Sequence, residues 1–276
     1  MSHYLDYQFE DSEEFISTFD ELPLWSASFG LLLLKHLELK QNQTVIDIGS
    51  GSGFPLLELA GRLGPTCKLY GIDPWKNANT RAHQKIINYG YTNVEIIESS
   101  AEKIPFDDNS IDLIVSNLGI NNFDRPEIVF KECNRVLKPK GKLVLTSNLT
   151  GHWKEFYQIF YSTLQQLGKQ NLIPALKQEE DHRGNVESVS KLFSGNGFIV
   201  CRHIEENFEM KYSDGSAFLN HHFVKLGWLT SWMKIFPKDE LKDIFISLEQ
   251  NLNNYSKNHN GLTLTVPMAF IEGEKV

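Results

Sequence analysis

The stretch Val45-Ile-Asp-Ile-Gly-Ser-Gly-Ser-Gly53 decides the fold. An apolar strand pattern interrupted only by Asp47 runs into glycines at alternate positions, Gly49, Gly51 and Gly53, with Pro55 close behind. Glycine turns with positive φ and puts no Cβ in the way of an approaching ligand. Pro55 suits a first helical turn, where its missing N–H would be unpaired anyway. The helix that follows then presents free N–H groups to an anionic group.

Outward from this turn, short apolar runs alternate with longer helical patterns. Strands are expected at Thr44–Ile48, Lys68–Ile72, Val94–Glu98, Ile111–Ser116 and Lys142–Ser147. Helices are expected at Pro55–Arg62, Asn77–Tyr89 and Pro126–Val136, with Leu137–Gly141, LKPKG, as the turn that closes the last. Strands apolar on both faces and separated by helices predict a parallel, doubly wound α/β sheet. Before this region, Asp11–Leu39 reads as helical with a break at Pro23, and Leu22, Leu24, Trp25 and Phe29 are its notable apolar residues. Beyond Asn148 come an amphipathic helix at Trp153–Leu167, a helix at Glu187–Gly195 and a strand at Phe198–Phe208. An aromatic-rich helical stretch, Ser216–Asn254, precedes a last strand at Leu262–Ile271.

A glycine-rich turn alone also serves dinucleotide dehydrogenases. Three details separate the two. The spacing is GxGxG rather than GxGxxG, Asp47 lies inside the strand, and the next strand ends in YGIDP. The last places Asp73 to accept hydrogen bonds from a ribose diol; its alternative role is a loop carboxylate capping the next helix. Together they favour S-adenosylmethionine over a nicotinamide cofactor.

Residues 44–148 resemble the catalytic core of class I S-adenosylmethionine-dependent methyltransferases. SAEKIPFDDNSIDLIVSNLG, Ser100–Gly119, is similar to the family's adenine-contacting turn and fourth strand, and VLKPKGKLVLT, Val136–Thr146, to the approach to its fifth strand and the strand itself. GINNF, Gly119–Phe123, is particularly similar to the ubiquinone and menaquinone C-methyltransferase group. The resemblance implies a Rossmann-like, doubly wound seven-stranded sheet with N-terminal helices and a helical lid inserted before the last strand. The corresponding domains would be a cap at 1–43, a core at 44–215 and 259–276, and a lid at 216–258.

The same resemblance implies roles. Asp47, Gly49, Ser50, Gly51 and Gly53 would surround the methionine portion of the cofactor. Asp73 would bind the ribose hydroxyls, Pro74 or Trp75 would pack near the adenine, and Ala101 and Glu102 would line its site. Ser100 stands where family members often carry an acid that bonds the adenine amino group. Asn117, Leu118 and Gly119 would lie under the transferable methyl group, and S-adenosylhomocysteine would be the product.

Methyl transfer needs an acceptor aligned with the methyl–sulfur bond, and oxygen or carbon acceptors call for a base. His221 and His222 in FLNHHFVKLGW are the candidates, with His152 in TGHW a weaker one. Trp25, Phe29, Trp228, Trp232 and Phe236 are candidates for an apolar acceptor pocket, with ordinary core packing as the alternative for each. Asn121 and Asn122 follow the fourth strand, where ligands sit in open α/β sheets, and turn chemistry is their alternative.

Composition narrows the partners. Hydrophobic residues make up 41% and aromatics 12%, enough for a packed core. A formal charge of −8 argues against a nucleic-acid substrate, since a phosphate backbone demands a basic footprint. The apolar run Phe29–Leu34 is far short of the roughly 20 residues of a membrane span, and MSHYLDYQFEDSEEF has no signal-peptide character. Cys67, Cys133 and Cys201 are widely spaced and form no CxxC, so reduced thiols, a cytoplasmic setting and no metal site are expected. The expectation is thus an enzyme that methylates a small, aromatic or apolar acceptor. Quinone C-methylation is the alternative within enzymes, and a non-catalytic S-adenosylmethionine-binding module the alternative outside them.

Overall fold

The computed structural model describes residues 3–6, 12, 24–181 and 183–276. Seven strands form one sheet: β1 (Thr44–Ile48), β2 (Lys68–Asp73), β3 (Val94–Glu98), β4 (Ile111–Asn117), β5 (Leu137–Asn148), β6 (Phe198–Tyr212) and β7 (Leu262–Lys275). Their order is β3-β2-β1-β4-β5-β7-β6, with β1 to β5 parallel to their neighbours and β7 antiparallel to β5. The reversal of order between β1 and β4 opens a crevice at the carboxyl ends of these strands, where doubly wound folds bind ligands. Four strands follow the expected limits within one residue. The doubly wound α/β sheet is the one anticipated, and the seven strands match what the resemblance implied.

The chain forms two compact units. The sheet unit comprises Asp11–Asn148, Asn185–Glu206 and Met268–Val276. Its core includes Val45, Ile46, Leu69, Ile114 and Val144 on the strands and Leu56, Leu59, Phe130 and Phe193 on the helices, all fully buried. The helical unit comprises Met1–Glu10, Leu149–Gly184 and Asn207–Pro267. Phe156, Phe160, Phe218, Trp232 and Phe245 fill it, and Tyr4 closes one side by donating from its hydroxyl to Glu249 Oε2 at 2.9 Å. These limits do not coincide with 43/44, 215/216 and 258/259, which divide the chain by expected role.

Local differences from the sequence reading have local causes. LKPKG is not a free turn: β5 begins at Leu137, and the register slips between Ile111 and Leu113, with Ile111 opposite Leu137 and Leu113 opposite Lys142. The turn residues are absorbed as a bulge, with Lys140 at φ +66°. The stretch 216–254 is not one helix. His221 is extended, Lys225–Leu229 winds as a π-helical turn around Gly227, and Phe236 is extended before Pro237, whose ring disfavours helix in the residue before it. Helices occupy Gly215–Asn220, Thr230–Ile235 and Leu241–His259 within and just beyond this range. Ile173–Glu180 forms a further helix, with Pro174 in its first turn. Of Asp11–Leu39, the helix Leu24–His36 is described; Leu22 and the break at Pro23 lie outside the described residues.

Candidate active site

The glycine turn leaves β1 at the crevice. Gly49, Gly51 and Gly53 adopt φ of +74°, +50° and +101°, so all three use the freedom that only glycine has cheaply. Gly49 N–H donates to the Ile72 carbonyl at 2.8 Å, and Gly53 N–H to the Ser50 carbonyl at 2.9 Å. A Cβ on Gly49 would meet Gly119 Cα at 3.4 Å, so the ends of β1 and β4 touch glycine to glycine. Gly119 is held to that size by Ser116 Oγ and the Ile48 carbonyl, 2.3 and 3.1 Å from where its Cβ would be. Gly30 is a site residue that sequence reasoning missed. A side chain there would strike the Phe54 ring at 2.2 Å, so its absence lets the helix Leu24–His36 lie against the turn. Its place inside a helical pattern carried no turn signal.

Asp73, at the end of β2, ties this turn together. Its Oδ2 accepts from Gly51 N–H at 2.9 Å, its Oδ1 from Trp75 N–H at 2.8 Å, and its carbonyl from Asn79 Nδ2 at 2.9 Å. The bond to Trp75 closes a turn just before the helix Lys76–Tyr89, whose N-cap residue is Trp75 and which has no side-chain cap. A carboxylate offers about four lone-pair sites, so two remain for a ligand.

Asp47 is fully buried, and neither of its oxygens has a hydrogen-bond partner of normal geometry. Burial pushes its carboxyl well above the usual carboxylate range, and the charge of Asp73 pushes it further, while the Leu56 backbone N–H offsets part of this. Ser50 Oγ and Asn79 Oδ1 are also buried without partners. A buried carboxylate beside a second carboxylate calls for a cation or donors from outside the chain. The ammonium and hydroxyl groups of S-adenosylmethionine supply that chemistry, so the residues present fit the cofactor.

The linkage has a definite sign. With its folded pKa above the unfolded value of about 3.9, Asp47 costs stability as pH rises from there through the folded pKa. Asp47→Asn is therefore expected to melt above the native chain at neutral pH without cofactor, with the gap closing as the pH falls towards 4. Thermal melts between pH 4 and 8 check this; a variant that melts lower at pH 7 would show that the ionised form is stabilising.

At the turn after β3, Ala101 is buried and Ser100 Oγ accepts from Glu102 N–H at 3.2 Å. Glu102 accepts from Nε and Nη2 of Arg125, an ion pair the sequence did not signal. Pro74 is exposed and Trp75 half-buried. Asn117 closes β4 through two bonds: its Oδ1 accepts from Thr146 Oγ1 at 2.7 Å and its Nδ2 donates to the Ser26 carbonyl at 3.0 Å. Leu118 follows in the left-handed region at φ +67°, a conformation that costs a non-glycine residue roughly 1–2 kcal/mol. Such strain concentrates at functional sites.

Asn121 is spent on structure: its Oδ1 accepts from Asn148 N–H at 3.2 Å, and its Nδ2 donates to Ser147 Oγ and the Asn148 carbonyl, both at 3.3 Å. Asn122 Nδ2 reaches the Leu118 carbonyl at 3.4 Å. Trp25 and Phe29, also in the sheet unit, pack against each other with ring centroids 5.1 Å apart.

The remaining candidates belong to the helical unit. His152 is fully buried and stacks on Trp153 at 4.2 Å and Trp228 at 5.4 Å. Burial, and secondarily the charge of Arg183, holds its pKa well below the ordinary histidine value. His221 and His222 are half-buried; burial lowers both, helped by Lys225 and, for His221, by His222. His221 lies edge-on to Tyr212 at 5.3 Å. Trp228, Trp232 and Phe236 are buried.

A glycine turn of this geometry lies at the switch point of a sheet ordered 3-2-1-4-5-7-6, with one carboxylate inside β1 and another ending β2, the arrangement implied by the resemblance to S-adenosylmethionine-dependent methyltransferases. Residues 46–145 match the family model described as methyltransferase domain. A demethylmenaquinone methyltransferase of Geobacillus sp. (strain WCH70) is 30% identical over 128 residues, 46% of this chain and 55% of that one. A demethylmenaquinone methyltransferase of Oceanobacillus iheyensis is 28% identical over 167 residues, 59% of this chain and 68% of that one. The chain thus spans between about half and two thirds of the length of these curated relatives. The fold is shared with a SAM-dependent methyltransferase from Aquifex aeolicus, at TM-score 0.54 and 23% identity over 71% of this chain and 93% of that one. Among the described residues no helix is long and apolar enough to cross a membrane.

Proposed function

We propose that the chain transfers the methyl group of S-adenosylmethionine to a small acceptor with an aromatic or otherwise apolar body. The observation that carries the reading is the buried, unpartnered carboxylate of Asp47 beside Asp73 at a turn of three positive-φ glycines. In this reading Asp47 and Ser50 take the polar end of the methionine portion, and Asp73 takes the ribose hydroxyls. Ala101 and Glu102 border the adenine, and Asn117, Leu118 and Gly119 lie beneath the methyl group. The bound cofactor supplies an electrophilic methyl on a sulfonium. The chain's own task is to hold the acceptor in line with it, a contribution of roughly 7–11 kcal/mol in well-oriented reactions. Residues 1–43 act as a cap and 216–258 as a lid, and the three free thiols suit a reducing, cytoplasmic setting.

His221 and His222, whose lowered pKa values leave them neutral at pH 7, are the proposed bases. A base of this kind contributes about 10²–10⁴-fold. Trp25, Phe29 and Trp228 are the proposed apolar contacts of the acceptor. The demethylmenaquinone methyltransferase relatives and GINNF favour a second reading, C-methylation of a quinone.

Calorimetry with S-adenosylmethionine and S-adenosylhomocysteine is expected to show binding of both; no binding of either defeats the proposal. Labelled methyl is then expected to enter a small metabolite, and label in demethylated quinone selects the second reading. In the same assay a His221→Ala, His222→Ala double variant should lose about 10²-fold or more in kcat. Tight cofactor binding with no transfer to any component of a metabolite extract points to a non-catalytic binding module.

A further inference from the structure

In the helical unit the guanidinium of Arg183 is largely withdrawn from solvent without a paired carboxylate among the described residues. Arg183 lies on the segment after the helix Ile173–Glu180, and its backbone is pinned by Thr150, whose Oγ1 donates to the Arg183 carbonyl at 2.6 Å and whose N–H donates to the Gly184 carbonyl at 3.0 Å. The guanidinium sits over the Trp228 ring at 5.7 Å, beside the Tyr157 hydroxyl and the buried imidazole of His152. Its Nη1 is sealed from solvent and donates to nothing. Glu179 is felt only at a distance, and no carboxylate among the described residues pairs with Arg183. In the same unit, Tyr212 Oη and His221 Nδ1 are buried without partners, linked to Trp228 through the ring chain Tyr212–Phe218–Trp153–Trp228.

A guanidinium withdrawn from water without a counter-charge costs several kcal/mol. Aromatic faces recover only about 0.5–2 kcal/mol of that. The planar fork of N–H donors matches an oxyanion with two oxygens, and arginine is the residue suited to that geometry. We propose that Arg183 is an anion site that takes a carboxylate or phosphate group, with any apolar body of the ligand among Trp228 and the neighbouring rings of the same unit. The site does not rest on the methyltransferase reading.

The test is thermal melting of the full chain without cofactor, at constant ionic strength, with benzoate in one series and inorganic phosphate in another. An anion that binds only the folded state raises the melting point in proportion to its saturation. The native chain is expected to gain about 2–4 °C at saturating anion, and Arg183→Met to gain nothing. Arg183→Met should also melt no lower than the native chain when no anion is present. A response to benzoate alone identifies a carboxylate, to phosphate alone a phosphate, and to both an unselective oxyanion site. No shift with either anion, a shift retained in Arg183→Met, or a variant that melts several degrees lower without anion overturns the proposal. Calorimetry of S-adenosylmethionine on the same variant separates the two readings. Cofactor binding is expected to stay within twofold of native, and its absence from the native chain would defeat the methyltransferase reading while leaving the anion result standing.

Discussion

Asp73→Ala is expected to bind S-adenosylmethionine about 100-fold more weakly than the native chain, near 2.7 kcal/mol. A hydrogen bond to a charged acceptor contributes about 1.5–3 kcal/mol, and a ribose diol offers two donors. The substitution also strips partners from Gly51 N–H and Trp75 N–H, so the glycine turn loses a tie to β2 and the turn before the helix Lys76–Tyr89 loses its closing bond. Each lost bond costs about 0.5–1.5 kcal/mol, and this part lowers the melting point without cofactor. Asp73→Asn separates the effects. Its amide retains one acceptor for a backbone N–H but lacks the charge, so affinity should fall with less loss of stability. Calorimetry and melts on both variants check this; an affinity within threefold of native for Asp73→Ala would leave Asp73 as a tie between turns and nothing more.

Trp232→Ala is expected to destabilise the chain by about 3–5 kcal/mol, the range for deleting a fully buried large aromatic. Trp232 is completely buried, with the ring centroids of Phe156, Trp153, Phe218 and Tyr157 at 4.6, 6.2, 6.2 and 6.4 Å. Its Nε1 donates to the Tyr157 hydroxyl at 3.2 Å, and that phenol is buried enough for its pKa to be pushed up to about 12. The truncation therefore leaves a large cavity and strips a donor from that hydroxyl. Trp232→Phe refills most of the volume and should recover more than half of the loss. Chemical denaturation measures both. A stability change below 1 kcal/mol, with a raised KM for the acceptor, would return Trp232 to the pocket for which its sequence position made it a candidate.

These two residues mark the limits of what was legible. Asp73 was readable because its signal is local: a strand pattern, an acid at its end and a glycine turn at fixed spacing, all within thirty residues. β1, β2 and β4 emerged the same way, since strands buried on both faces leave apolar runs. The start of β5 did not, because Pro139 and Gly141 look like a turn whether the chain turns or bulges. Trp232 shows the other regime. An aromatic on an amphipathic helix reads the same whether it faces a ligand or four other rings, and only three-dimensional packing tells the two apart. Arg183 left no trace at all, because a lone arginine near a helix end is ordinary until its surroundings prove apolar. Gly30 was hidden for a related reason: its use is to admit the Phe54 ring, a partner more than twenty residues away.

The antiparallel pairing of β7 with β5 has a consequence for the chain as it is made. Lys142–Asn148 bonds to Glu274–Met268, so the outer edge of β5 waits for its partner while all of residues 149–261 are synthesised. A nascent sheet with an open edge is a template for pairing with other chains. Lys138, Lys140 and Lys142 stand at the entrance of that strand, and charges there are how natural sheets discourage such encounters. The segment LKPKGK, met first as a turn and then as a bulge, thus also serves the ribosome-bound chain as a guard on an edge that the finished protein no longer has.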